Sequence, residues 1–167
     1  IVSRALSGWE YDDRLASIRD TAALMKMRAE ERAAFEKLWA DLALLREAVQ
    51  KAQVDANILA LQSRLAANRK SLPKESPQLA SELYYAGQWL LSVKAYAEAE
   101  PLLRECLAIL EKTQPDKWTT FNAKSMLGDA LLGQKKYADA EPLLLAGYEG
   151  LKQRGKDVPP QQLPEAI

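Results

Sequence analysis

The chain contains no histidine, one cysteine, two phenylalanines and seven glycines in 167 residues. Each shortage removes a class of function. Without histidine, the commonest general base at neutral pH is missing. A cysteine nucleophile also lacks its usual activating imidazole. A protein-kinase catalytic loop needs a His-Arg-Asp run, so it cannot be written with these residues. One cysteine and no histidine leave only carboxylates for a metal. No glycine-rich phosphate loop is present. Cys106 has no partner for an internal disulfide, which fits a reducing, cytoplasmic compartment. Charge of one sign is also lacking. Lys and Arg number 23 and Asp and Glu number 23, for a net charge of zero. A phosphate-binding surface must be basic, so nucleic acid is an unfavourable partner. No apolar run approaches the roughly 20 residues that cross a bilayer, and no signal peptide is legible. The chain is expected to be soluble, to need no cofactor and to catalyse nothing by itself.

What is present is a repeat. Tyr84 to Leu110 reads YYAGQWLLSVKAYAEAEPLLRECLAIL, and Ser125 to Leu151 reads SMLGDALLGQKKYADAEPLLLAGYEGL. A shift of about 41 residues aligns Gly87 with Gly128, Leu90 with Leu131, Lys94 with Lys135 and Tyr96 with Tyr137. It then aligns Glu100-Pro101-Leu102-Leu103 with Glu141-Pro142-Leu143-Leu144. A period of about 20–50 residues marks one supersecondary unit stacking on copies of itself. Proteins built so usually bind others along an extended surface.

Each copy sets a glycine in a first helix and Tyr-Ala-(Glu/Asp)-Ala-Glu-Pro-Leu-Leu in a second. This resembles the tetratricopeptide repeat, in its longer kinesin-light-chain-like variety, over residues 75–154. Weaker likeness extends to 54–74, where Leu65-Ala66 and Pro73 match Leu107-Ala108 and Pro115. The glycine usual before the tyrosine is replaced by Val93-Lys94-Ala95 and Gln134-Lys135-Lys136. The resemblance implies an all-α fold of antiparallel hairpins in a short right-handed solenoid. The segment 12–52 is similar to the helical stretch preceding such repeats in large bacterial proteins, some with a serine/threonine kinase domain upstream.

The expected organisation is an N-terminal helical segment over 1–53 and repeats over 54–167. Within the first, Asp12 or Asp13 caps a helix through Leu15 and Ile18, and Asp20 caps another over 22–27. Phe35, Leu38, Trp39, Leu42, Leu45 and Val49 form one stripe of a helix over 29–52. A degenerate repeat helix over 54–70 carries Ile58, Leu61 and Leu65. One repeat covers 76–113, another 117–154, and 162–167 begins a further one. Ser76 caps the helix that Pro77 opens, with Leu79, Leu83, Ala86 and Leu90 inward. Gly155 to Pro160 is an exit loop. The chain reads as a piece of a longer polypeptide.

Several residue types carry a packing reading beside a chemical one. Glycine inside a helix costs about 1 kcal/mol relative to alanine, so Gly87 and Gly128 imply close approach of a neighbouring helix. Ala99 and Ala140 carry the same implication. Pro101 and Pro142 require either a late helix start or a bend. Cys106 reads as packing. The carboxylates Glu98/Glu100, Asp139/Glu141 and Glu30/Glu31 read as solvated faces. Trp39 is assigned to the core, Trp118 to packing between repeats and Trp89 to the preceding segment, while Trp9 has no assignment.

The resemblance implies that first helices line a concave side. The candidate partner-binding residues there are Ser81, Tyr84, Gln88, Asn122, Ser125 and Asp129. The expected function is a scaffold that grips a protein or peptide. Self-association through the repeats, or service as the regulatory tail of a larger enzyme such as a bacterial kinase, are the alternatives.

Overall fold

The computed structural model describes residues 21–154, and every regular element among them is helical. The elements are α1 (Thr21–Leu24), α2 (Ala29–Ser71), α3 (Pro77–Ser92), α4 (Tyr96–Thr113), α5 (Trp118–Gly133) and α6 (Tyr137–Gln153). The expected caps Asp12, Asp13 and Asp20, together with Trp9 and the segments 155–160 and 162–167, lie outside the described residues. The chain divides into two units, Ile1–Asn57 and Ile58–Ile167, with the boundary inside α2.

In the first unit, α1 is a single turn ending at the buried Leu24. The two helices expected over 29–52 and 54–70 are one helix of 43 residues. The reason is local: no glycine or proline falls between Ala29 and Ser71, so nothing interrupts the hydrogen-bond ladder. Spaced pairs on its surface, such as Lys37–Asp41 at 3.5 Å and Gln53–Asn57 at 3.1 Å, add a few tenths of a kcal/mol each. The apolar stripe is less covered than its pattern suggests. Phe35, Trp39, Leu42 and Val49 are half-buried, and Leu38 and Leu45 are exposed. Trp39 is therefore a flank of this helix and not a core residue.

The second unit holds the core. Leu65, from the last turns of α2, is 1% exposed and packs with Leu79, Leu83 and Leu90 of α3. Ile58, Leu61 and Leu72 close the edge of that cluster. Ser76 Oγ accepts the Leu79 amide at 3.2 Å, and Pro77 occupies the first helical turn. Helix α3 pairs with α4, α5 pairs with α6, and α4 packs on α5, with a lighter contact between α3 and α5. The first helices, Pro77–Ser92 and Trp118–Gly133, begin 41 residues apart, as do the second helices at Tyr96 and Tyr137.

Both hairpins turn through the same closure. The Lys94 amide donates to Leu91 O and the Ala95 amide to Leu90 O; Lys135 and Lys136 repeat this on Leu132 and Leu131. This is a Schellman cap, whose left-handed position normally selects glycine. Lys94 and Lys135 occupy it at φ 60° and 63°. The missing glycines of the repeat pattern are thus lysines held in a strained backbone conformation.

The small residues act as their spacing implies. A Cβ on Gly87 would meet the Leu103 side chain, with Cγ at 2.7 Å, and one on Gly128 would meet Leu144 Cγ at 2.6 Å. Ala99 and Ala140 are buried at 0% and 1% exposure. Pro101 and Pro142 lie inside helices that begin at Tyr96 and Tyr137, so the late start is ruled out. Proline cannot donate to the carbonyl four residues back, Ala97 or Ala138. Those alanines and both prolines are exposed, so water can serve the carbonyls left without a helical donor.

The two hairpins exchange large for small at one crossing. Gly150 lies where a Cβ would strike the Phe121 ring. The residues 41 earlier are Ile109 and Ala80. The bulk that α4 supplies through Ile109 is supplied by α5 through Phe121 in the next hairpin.

Candidate functional site

The six candidate residues do not share one open face. Ser81 and Gln88 are exposed on α3, and Ser81 Oγ donates to Pro77 O at 3.0 Å. Asp129 is exposed on α5, and partial desolvation by its surroundings raises its carboxyl above the usual range. Tyr84 and Asn122 are each 8% exposed, and Asn122 Nδ2 donates a hydrogen bond to Tyr84 Oη. Ser125 is half-buried, with its Oγ against Gly147 of α6. The expectation that Asn122 and Ser125 project into an open groove is therefore corrected, while Tyr84 is mostly buried and only borders a cleft. Tyr84 is long enough to span from α3 to α5, and its hydroxyl finds the amide there. Burial raises the Tyr84 phenol above its ordinary pKa, with the Asn122 hydrogen bond opposing.

A different set of residues forms a concavity. A cleft of about 130 Å³ opens between α3, the turn after α4 and the start of α5. Ser81, Tyr84, Tyr85, Gln114, Trp118 and Thr119 supply its aromatic and polar walls. Tyr85 is 66% exposed and stands edge-on to Tyr84, with ring centres 5.5 Å apart at 89°. Trp118 is half-buried. Thr119 Oγ1 is shielded from solvent and has no hydrogen-bond partner. Such a group costs about 1–3 kcal/mol relative to a satisfied one. Only Ser81 and Tyr84 were on the expected site. Tyr85, Gln114, Trp118 and Thr119 are not marked by register on one helix face, because the cleft joins two helix starts and a turn. The adjacent aromatics Tyr84-Tyr85 are the sequence signal of this cleft.

The carboxylates also differ from expectation at one position. Glu98, Asp139, Glu141, Glu30 and Glu31 are exposed. The Glu100 side chain is 16% exposed and receives Lys136 Nζ at 2.7 Å, Arg104 Nη2 at 2.8 Å and Gln134 Nε2 at 2.9 Å. Lys136 first, then Arg104, hold its carboxyl down at about 2. Glu100 thus ties α4 to the turn of the next hairpin. Arg69 and Glu105 form a second cross-element pair, with Nε 3.1 Å from Oε2. Cys106 is fully buried, its Sγ 3.4 Å from Ala80 O, and burial pushes its thiol up to about 12. It is a packing residue. Among the described residues no three His, Cys, Asp or Glu side chains gather as metal ligands, and no helix is long and apolar enough to cross a membrane.

The fold defines an all-α protein of paired antiparallel helices. No protein-family model matches the chain, and no curated protein sequence matches it.

Proposed function

We propose that this chain is a non-catalytic scaffold of tetratricopeptide-like hairpins that binds a protein or peptide partner. The observation that carries the reading is the aromatic cleft between two structurally equivalent first helices. It offers Tyr85 and Trp118 for apolar contact and Ser81 and Gln114 for hydrogen bonds. Tyrosine and tryptophan dominate binding hot spots. They present large rigid area with few rotatable bonds, so little entropy is lost on association. The volume suits one apolar side chain of an extended peptide. Ser81, Tyr85 and Gln88, at i, i+4 and i+7 of α3, extend the surface along one exposed stripe.

Selection of peptides from a random display library on the intact chain tests the reading. Selected peptides should share an apolar anchor, and Trp118→Ala or Tyr85→Ala should weaken them at least about tenfold. Peptides that bind both variants as well as the parent would place recognition elsewhere and defeat the proposal.

A further inference from the structure

We infer that the peptide held by the cleft carries a second determinant, a lysine or arginine about five residues from its apolar anchor, which pairs with Asp129; this rests on the cleft as the anchor site. Trp118 and Asp129 fall at i and i+11 of α5, three turns apart on one side of the helix. Trp118 forms part of the cleft wall, and Asp129 is exposed. Eleven helical residues advance about 16 Å. An extended chain covers that distance in about five residues. A peptide seated in the cleft and running along α5 therefore passes over the carboxylate.

Charge singles out this position. Helices α3 and α5 carry three charged side chains, Glu82, Lys124 and Asp129. Glu82 stands 3.6 Å from Arg64. Lys124 stands 3.0 Å from Glu111 and lies over the Phe121 ring. Among the described residues the Asp129 carboxylate meets neither a cation nor a hydrogen-bond donor. Its surroundings still strip enough water from it to raise its pKa. A carboxylate that has lost hydration without gaining a partner favours an incoming cation. Gln88 holds the equivalent position of α3, 41 residues earlier, and adds no opposing charge. Leu132, one turn beyond Asp129, is 46% exposed. It gives the methylene stem of a lysine or arginine an apolar rest. An acidic residue at the same point of the peptide is repelled.

Parallel selections from one random peptide display library, on the intact chain and on Asp129→Lys, test this. Circular dichroism should show equal helicity in the two, since Asp129 is exposed. Peptides from the parent should carry an apolar anchor with Lys or Arg about five positions away. Those from Asp129→Lys should keep the anchor and place Asp or Glu there instead. In a synthetic copy of one parent-selected peptide, norleucine in place of the cation should weaken binding to the parent about three- to fivefold at low salt. The same exchange should leave binding to Asp129→Asn unchanged. Uncharged or acidic residues at that position from the parent, one basic preference from both chains, or an equal loss on Asp129→Asn would each overturn the inference and leave the cleft standing. Peptides indifferent to both Tyr85→Ala and Trp118→Ala would instead bring down the cleft, and this inference with it.

Discussion

The bond between Tyr84 and Asn122 converts two residues with the register of a binding face into a structural clasp, and its removal has a definite expected cost. Both side chains are 8% exposed and they join first helices of successive hairpins. Tyr84→Phe keeps the ring and deletes one hydrogen bond. A buried neutral bond contributes about 1 kcal/mol, so the variant should lose about that much. Asn122→Ala removes the donor, empties part of its volume and leaves the Tyr84 hydroxyl without a protein partner. That cost is about 2 kcal/mol. For a chain of this size 1 kcal/mol moves Tm by about 2–4 °C, so Asn122→Ala should melt about 4–8 °C lower. The double variant should lose less than the sum, with a coupling of about 1 kcal/mol from the shared bond. Thermal and urea melts followed by circular dichroism measure all three. Gln88→Ala, an exposed change on α3, is the control and should stay within about 0.5 kcal/mol. If both single variants match that control and the double is additive, the clasp reading fails and the two residues belong to an open surface.

Four further outcomes follow from named contacts. Lys94→Gly and Lys135→Gly should each stabilise the fold by about 0.5–1 kcal/mol, the relief of the left-handed backbone less glycine's greater unfolded entropy; a denaturant midpoint unchanged in both would contradict the strain. Gly150→Ile should destabilise by about 3 kcal/mol or more by overpacking against Phe121, and Phe121→Ala in the same chain should recover most of that by copying the Ala80 and Ile109 pair; failure of the rescue in melting experiments would break the equivalence of the hairpins. Ala99→Leu should cost about 1–3 kcal/mol, whereas Glu98→Ala should change little, because the first site is sealed and the second is solvated. The depressed Glu100 carboxyl stabilises the fold above its ordinary pKa of 4.5, and that contribution is lost as pH falls from there toward about 2. Its cationic partners are about half exposed, so the effect is about 1 kcal/mol, and Glu100→Gln should flatten the acid limb of the stability curve by that amount.

Elements that depend on near neighbours are legible in the residues alone. Ser76 and Pro77 set a helix start, and Leu79, Leu83, Ala86 and Leu90 mark a buried face, because capping and helical period are local properties. The 41-residue register made Gly87, Gly128, Ala99 and Ala140 legible as close contacts, since a costly residue recurring at one place implies compensation. The uninterrupted run from Ala29 to Ser71 was equally local, but the change of apolar pattern near residue 53 obscured it. The stripe around Trp39 had the period of a core helix, yet period names a face without saying what covers it.

Which polar residues the fold uses up depends on contacts between distant elements. Ser81 and Asn122 share a register 41 residues apart, but Asn122 is reached by the preceding Tyr84 and Ser81 is not. Glu100 and Glu141 share a register too; Glu100 meets Gln134 and Lys136 in the turn of the following hairpin, and among the described residues Glu141 is exposed. Lys94 and Lys135 could be seen to replace glycine, while the left-handed backbone they accept is set by the two closing hydrogen bonds. In each case the outcome depends on atoms far away in the chain. Helical period fixes the direction of a side chain, whereas its burial and its charge depend on whether a distant element stands within a few ångströms of its tip.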